Sequence, residues 1–169
     1  MIYTITGASA VGKSTLVNHL KTILPQSQFD YYHFDSIGIP DFEEMIAEYG
    51  STEKWQEVKT EEWMERLIQA HEESGKNIIF EGSTSIAFIK KAFEKRSFQQ
   101  FQIILIDCDF DTMTKRLIEE RNQPELVNEH MENWLLYLRK QANQSKIPIL
   151  KGDLVDDLSK QFIEILNIA

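Results

Sequence analysis

Ile2-Tyr3-Thr4-Ile5-Thr6 runs straight into Gly7-Ala8-Ser9-Ala10-Val11-Gly12-Lys13-Ser14, and Leu16, Val17, Leu20, Ile23 and Leu24 then recur at helical spacing until Pro25. The first five residues read as a strand, and the recurring apolar residues read as one stripe of a helix. Between them the octet matches G-x-x-x-x-G-K-[ST]. Strand, glycine-rich turn and helix in that order are what an anion cradle needs. Glycines let backbone N–H groups close around phosphate oxygens, and the helix N-terminus adds unpaired donors and partial positive charge. Gly7, Ala8, Ser9, Ala10, Val11 and Gly12 would form the cradle wall. Lys13, expected to stand exposed in the loop, would reach the β- and γ-phosphates of a bound triphosphate. The Ser14 hydroxyl would coordinate Mg²⁺, and Thr15 would add a phosphate contact.

Outward from the loop, short apolar runs alternate with longer helical periods. The runs Phe29–Phe34, Asn77–Glu81, Phe101–Asp107 and Ile147–Leu150 join Ile2–Thr6 as strands. They are mostly continuous in hydrophobicity, as expected where helices cover both faces of a parallel sheet. Helices are expected over Thr60–Ser74, with Thr60 as cap and Gly75 as stop, and over Ser85–Lys95, Asp111–Arg121, Leu126–Asn143 and Asp156–Leu166. One α/β domain uses up all 169 residues.

Composition narrows the partners. Twenty-seven acidic against eighteen basic residues give a net charge of −9, which opposes adsorption to nucleic acid or anionic lipid. No run of eighteen apolar residues and no basic stretch leading into an apolar one occurs, so a cytoplasmic protein without membrane attachment is expected. A single cysteine, Cys108, excludes an internal disulfide and a multi-cysteine zinc site. Oligomeric state has no signature, because a helix face that covers a sheet reads like one that covers another subunit.

Five further places carry candidate chemistry. Asp35, just past the second strand, would open onto the same sheet edge as the loop. It would either take the proton of an attacking hydroxyl or hold a metal-bound water, unless it merely caps the turn towards Pro40. Glu81, at the end of the third strand, is placed to order water around Mg²⁺ or to hydrogen-bond the acceptor, or else faces solvent. Arg116 and Arg121 would close over the triphosphate from a lid spanning about residues 111–143, with Arg139 a weaker addition. Their five-residue spacing rotates them apart on one α-helix unless the helix ends first. The stretch Asp41–Lys59, with Phe42, Met45, Ile46, Tyr49, Trp55 and Gln56, would shape an acceptor pocket or pack as an ordinary helical insertion, and Lys151-Gly152-Asp153 would border the nucleobase or cap the last helix.

The phosphate loop after strand one, an acid after strand two and arginines after strand four together resemble the nucleoside/nucleotide-kinase-like branch of P-loop kinases. Within it, GASAVGKSTLVNHLKTILP followed by YYHFDSIGIP is similar to the start of chloramphenicol phosphotransferases. The resemblance implies a three-layer α/β/α P-loop NTPase fold, with a five-stranded parallel sheet of order 2-3-1-4-5 and a helical lid. It also implies ATP and Mg²⁺ as cofactors, phosphorylation of a small-molecule acceptor, Lys13 and Ser14 at the phosphates and metal, and Asp35 as base on the acceptor hydroxyl. It does not extend past Pro40 at this level of detail and does not carry the antibiotic over as substrate. Glu81 departs from the commoner aspartate. Competing readings are a P-loop ATPase and a nucleotide-binding regulatory module that presents the Leu126–Asn143 helix to a partner.

Overall fold

A computed structural model describes residues 1–168. Five parallel strands, β1 (Ile2–Thr6), β2 (Phe29–His33), β3 (Asn77–Gly82), β4 (Phe101–Asp107) and β5 (Ile149–Lys151), form one sheet in the order β2-β3-β1-β4-β5. This is the three-layer P-loop arrangement expected from the sequence. β1 lies at the centre, with all five of its residues buried. Its alternation sorts the two cores: Tyr3 and Ile5 point to one face, Ile2 to the other. Leu16, Val17 and Leu20 of α1 (Lys13–Ile23) and Leu158 and Phe162 of α7 (Val155–Ile168) cover the first face. The second is covered by Met64 and Leu67 of α3 (Thr52–Ser74), Ile89 and Phe93 of α4 (Ile86–Lys95), and Leu138 and Ala142 of α6 (Glu129–Ser145). Each fully buried Leu, Ile or Phe contributes about 1.5–3 kcal/mol against leaving it exposed. The parallel winding brings the C-terminal ends of β1, β2, β3 and β4 to one edge, where the loop opens.

Several element boundaries differ from the sequence expectation, each for a local reason. β2 stops at His33, because Phe34–Ile37 turns into a single 3₁₀ segment held by a hydrogen bond from Trp63 Nε1 to the Phe34 carbonyl (3.2 Å). β5 starts at Ile149 instead of Ile147: Pro148 has no N–H, and it enters the ladder only as acceptor for Leu105 (3.0 Å). Thr60 caps nothing. The true cap of α3 is Ser51, whose Oγ accepts from the Lys54 N–H (3.0 Å), and Thr60 lies fully buried mid-helix, bonded to the Gln56 carbonyl and the Thr84 hydroxyl (both 2.7 Å). The longer α3 absorbs half of the Asp41–Lys59 stretch, and α2 (Phe42–Tyr49) takes the other half, opened by a reciprocal capping box between Asp41 and Glu44. Leu126 belongs to a short 3₁₀ turn, Pro124–Leu126, and α6 begins at Glu129 behind the Asn128 cap.

The segment after β4 shows the largest departure. α5 (Phe110–Lys115) ends early, and Arg116–Glu120 continues as a π turn, closed by the Arg121 N–H on the Arg116 carbonyl (3.1 Å). A ring closed over five residues is wider than an α turn and brings residues five apart towards one face.

Candidate active site

The loop backbone accounts for its own sequence. A side chain at Gly7 would place its Cβ 2.5 Å from the Ile106 carbonyl oxygen of β4, so only glycine lets the turn pass there. Gly12, at φ 104°, caps α1 in a left-handed conformation, and Ala10 (φ 60°) shares that region without the freedom of glycine. Such strained backbone recurs where a loop is shaped for a ligand. α1 therefore opens with its unpaired N–H groups facing the sheet edge.

Lys13 is 8% exposed, not free in solvent as expected, and its ammonium donates to the Ala8 carbonyl across the loop (2.8 Å). Burial lowers its pKa to about 8, partly offset by Glu81 and Asp35, while Arg121 lowers it further. A bound polyanion favours the ammonium, so the complex holds that proton to higher pH than the free loop. Affinity of the loop for a polyphosphate anion is accordingly expected to be level below about pH 8 and to fall by up to about tenfold per pH unit above it, as binding then requires proton uptake. Calorimetric titrations between about pH 7 and pH 10 check this; a flat profile would separate Lys13 from the anion.

Glu81 lies beside the loop. Its Oε1 accepts from the Ser14 hydroxyl (3.0 Å) and from His33 Nδ1 (2.8 Å), while Lys21 Nζ stands 2.9 Å from His33 Nε2. Ser14 and Glu81 thus present an all-oxygen set, with few protein ligands, of the kind a hard cation such as Mg²⁺ uses together with phosphate oxygens and water. His33, which reads from the sequence first as a structural residue, is set opposite Glu81 by the parallel register of β2 and β3. Asp35 is exposed on the 3₁₀ turn. Its backbone carbonyl accepts from the Gly38 N–H (3.0 Å), and its carboxylate has no hydrogen-bond partner among the described residues.

Arg116 and Arg121 come together. Both border a cleft of about 210 Å³ whose wall includes Gly12, Thr15, Asp153 and Leu158. Arg116 donates to the Ala10 carbonyl (3.4 Å) and the Asp153 carbonyl (3.1 Å), bridging the loop to the turn after β5. The π turn thereby compensates the five-residue spacing that an α-helix would have turned into opposite faces. Arg139 does not join them. Its Nε donates to Asp107 (2.9 and 3.0 Å) and its Nη2 to the Cys108 carbonyl (2.8 Å), and Lys151 reaches the same Asp107 (3.1 Å). Asp107 is 1% exposed, so this three-element junction is scaffold. Cys108 is buried, and burial pushes its thiol up to about 11, which leaves it inert at neutral pH.

The Asp41–Lys59 stretch divides. Met45 and Trp55 pack into the core, Trp55 edge-on to Phe34, and Gln56 ties α3 to Ser83 and Ser85. Tyr49 and Lys59 instead border a second cleft of about 530 Å³ with Ile37, Ile39 and Arg66, and one side of the core residue Trp55 reaches the same cleft. Phe42 and Ile46 stay exposed. No helix is long and apolar enough to cross a membrane among the described residues.

Residues 4–143 match the family model described as AAA domain. No curated protein matches the chain in sequence. Among solved structures, the deoxyadenosine kinase from M. mycoides with bound dATP superposes with a TM-score of 0.66 at 18% identity, covering 99% of this chain and 100% of that one. The shikimate kinase from Acinetobacter baumannii in complex with shikimate gives 0.61 at 15%, covering 99% and 93%. A gluconokinase from Sinorhizobium meliloti 1021 gives 0.60 at 11%, covering 95% and 87%. At these identities the likeness is one of fold, that of P-loop small-molecule kinases.

Proposed function

The chain belongs to the AAA domain family, and from that premise we propose that it is an ATP-dependent kinase acting on a small-molecule hydroxyl or phosphate. One observation carries the reading: Lys13, Ser14 and Glu81 meet at the edge where Asp35 also lies, and Arg116 and Arg121 border the cleft beside them. The reading takes further support from the dATP and shikimate held by two proteins of the same fold, and from the similarity of the chain's start to chloramphenicol phosphotransferases. As a division of labour, the whole chain acts as one domain, with Arg116–Arg121 as the working part of the lid.

Lys13 would reach the β- and γ-phosphates, and the loop N–H groups and Thr15 would hold the phosphate oxygens beside them. The acceptor hydroxyl attacks phosphorus as Asp35 takes its proton; the bond to the bridging β,γ-oxygen breaks, and ADP leaves. Ser14 directly, and Glu81 through water, would hold Mg²⁺, which offsets charge on the phosphate oxygens. Arg116 and Arg121 neutralise the transferring group and exclude water, so that the phosphate goes to the acceptor. The second cleft, lined by Tyr49, Trp55 and Lys59, would take the acceptor.

Transfer from γ-labelled ATP with Mg²⁺ across pooled nucleosides, nucleotides, sugars, polyols and amphenicol- or aminoglycoside-type antibiotics tests the proposal. A labelled product that Lys13→Ala does not form is the expected result. Free phosphate alone would favour an ATPase, and ATP binding with no turnover would favour a regulatory module.

A further inference from the structure

His33, the last residue of β2, stands in register opposite Glu81, the next-to-last residue of β3. Both nitrogens of the His33 ring are engaged, by different elements: Nδ1 lies 2.8 Å from Glu81 Oε1, and Nε2 lies 2.9 Å from Lys21 Nζ on α1. An ammonium only donates, so Nε2 must accept, and the ring hydrogen sits on Nδ1, aimed at the carboxylate. Glu81 Oε1 then receives two donors, His33 from one side and the Ser14 hydroxyl from the other. Glu81 Oε2 receives none among the described residues, yet it is not sealed from solvent. One oxygen is held by two donors and the other by none among the described residues.

We propose that His33 is a positioning residue for the Mg²⁺ site. With its tautomer set by Lys21, it pins Glu81 Oε1 and thereby directs Oε2 towards the water shell of the cation that Ser14 ligates. The inference rests on the Mg²⁺·ATP reading above and adds to it the chain Lys21–His33–Glu81–Ser14, drawn from α1, β2 and β3. A ring that only filled space at the strand end would not need two opposed partners. Hydrogen-bonded partners behind a metal's immediate ligands fix carboxylate orientation, and their loss commonly costs 10- to 100-fold in metal affinity or activity.

Two variants separate positioning from bulk. His33→Asn keeps an amide nitrogen where Nδ1 stands, whereas His33→Gln moves it out to the place of Nε2. Long-range proton–nitrogen spectra of the full chain report the tautomer, and calorimetry reports ATP affinity in Mg²⁺ and in EDTA. The expected results are an Nδ1–H signature for His33, and a loss of about tenfold or more in the Mg²⁺-dependent gain in affinity for His33→Gln. Affinity in EDTA should be unchanged in both variants, and His33→Asn should retain most of the Mg²⁺ gain. An Nε2–H tautomer, equal losses in the two variants, a matching loss in EDTA, or a wild-type affinity indifferent to Mg²⁺ would each overturn the proposal. Mg²⁺-dependent ATP binding without any labelled product would instead overturn the phosphotransfer reading and leave this one standing.

Discussion

Lys13→Ala is expected to bind ATP·Mg²⁺ roughly 30- to 4,000-fold more weakly than the parent chain, while melting within about 4 °C of it. The first figure follows from truncating one partner of a buried charged contact, about 2–5 kcal/mol. The second follows from the state of the empty loop. There Lys13 is 8% exposed, its ammonium has one neutral carbonyl as hydrogen-bond partner among the described residues, and its pKa is drawn down from 10.5 to about 8, chiefly by burial. Since the unfolded chain binds that proton more tightly, the charge opposes folding below about pH 8, and the opposition fades as pH rises towards the unfolded value. Removing the ammonium therefore relieves a cost that offsets the lost packing of its stem. Calorimetry and a thermal melt check the pair of results. Unchanged affinity would remove the nucleotide site from this loop, and a large fall in melting temperature would make Lys13 a structural residue.

Asp35→Asn should lower the transfer rate by about 10²- to 10⁴-fold, the range for a positioned proton acceptor, with ATP affinity within about threefold of the parent. The amide keeps the shape and removes the basicity. Nothing in the fold resists the change, because the side chain is exposed and free of hydrogen-bond partners among the described residues. Steady-state rates with the acceptor found in the labelled-ATP screen, set beside ATP binding in Mg²⁺, decide it. If affinity falls with the rate, Asp35 serves the metal; if neither moves, it only shapes the turn to Gly38.

The parts of the site carried by one continuous segment are legible in the sequence itself. Gly7 to Thr15 needs only its own order of strand, turn and helix, and the sheet order follows from the kinase resemblance. Legibility ended where two distant segments meet. The Ser51 cap was hidden behind Thr60, an equally good capping residue type that here spends its hydroxyl on Gln56 and Thr84 inside the helix. Arg139 carried the charge of a lid residue, and only the burial of Asp107 across 32 positions withdraws it. Lys13 read as exposed because loop lysines usually are; closure of the loop over Ala8 buries it. The pairing of His33 with Glu81 could have been found by laying the strands side by side, since it needs register alone.

The π turn between Arg116 and Arg121 has an outcome for how this segment tolerates changes of length. Residues four apart share a face on an ordinary α-helix, and residues five apart share one across a π turn. Loss of one residue from Ile118–Glu120 would let the winding return to α and still leave both guanidiniums over the same cleft. A gain of one would put them six apart, which neither winding aligns. Shortening is forgiven here and lengthening is not, while buried Leu117 must stay in either case.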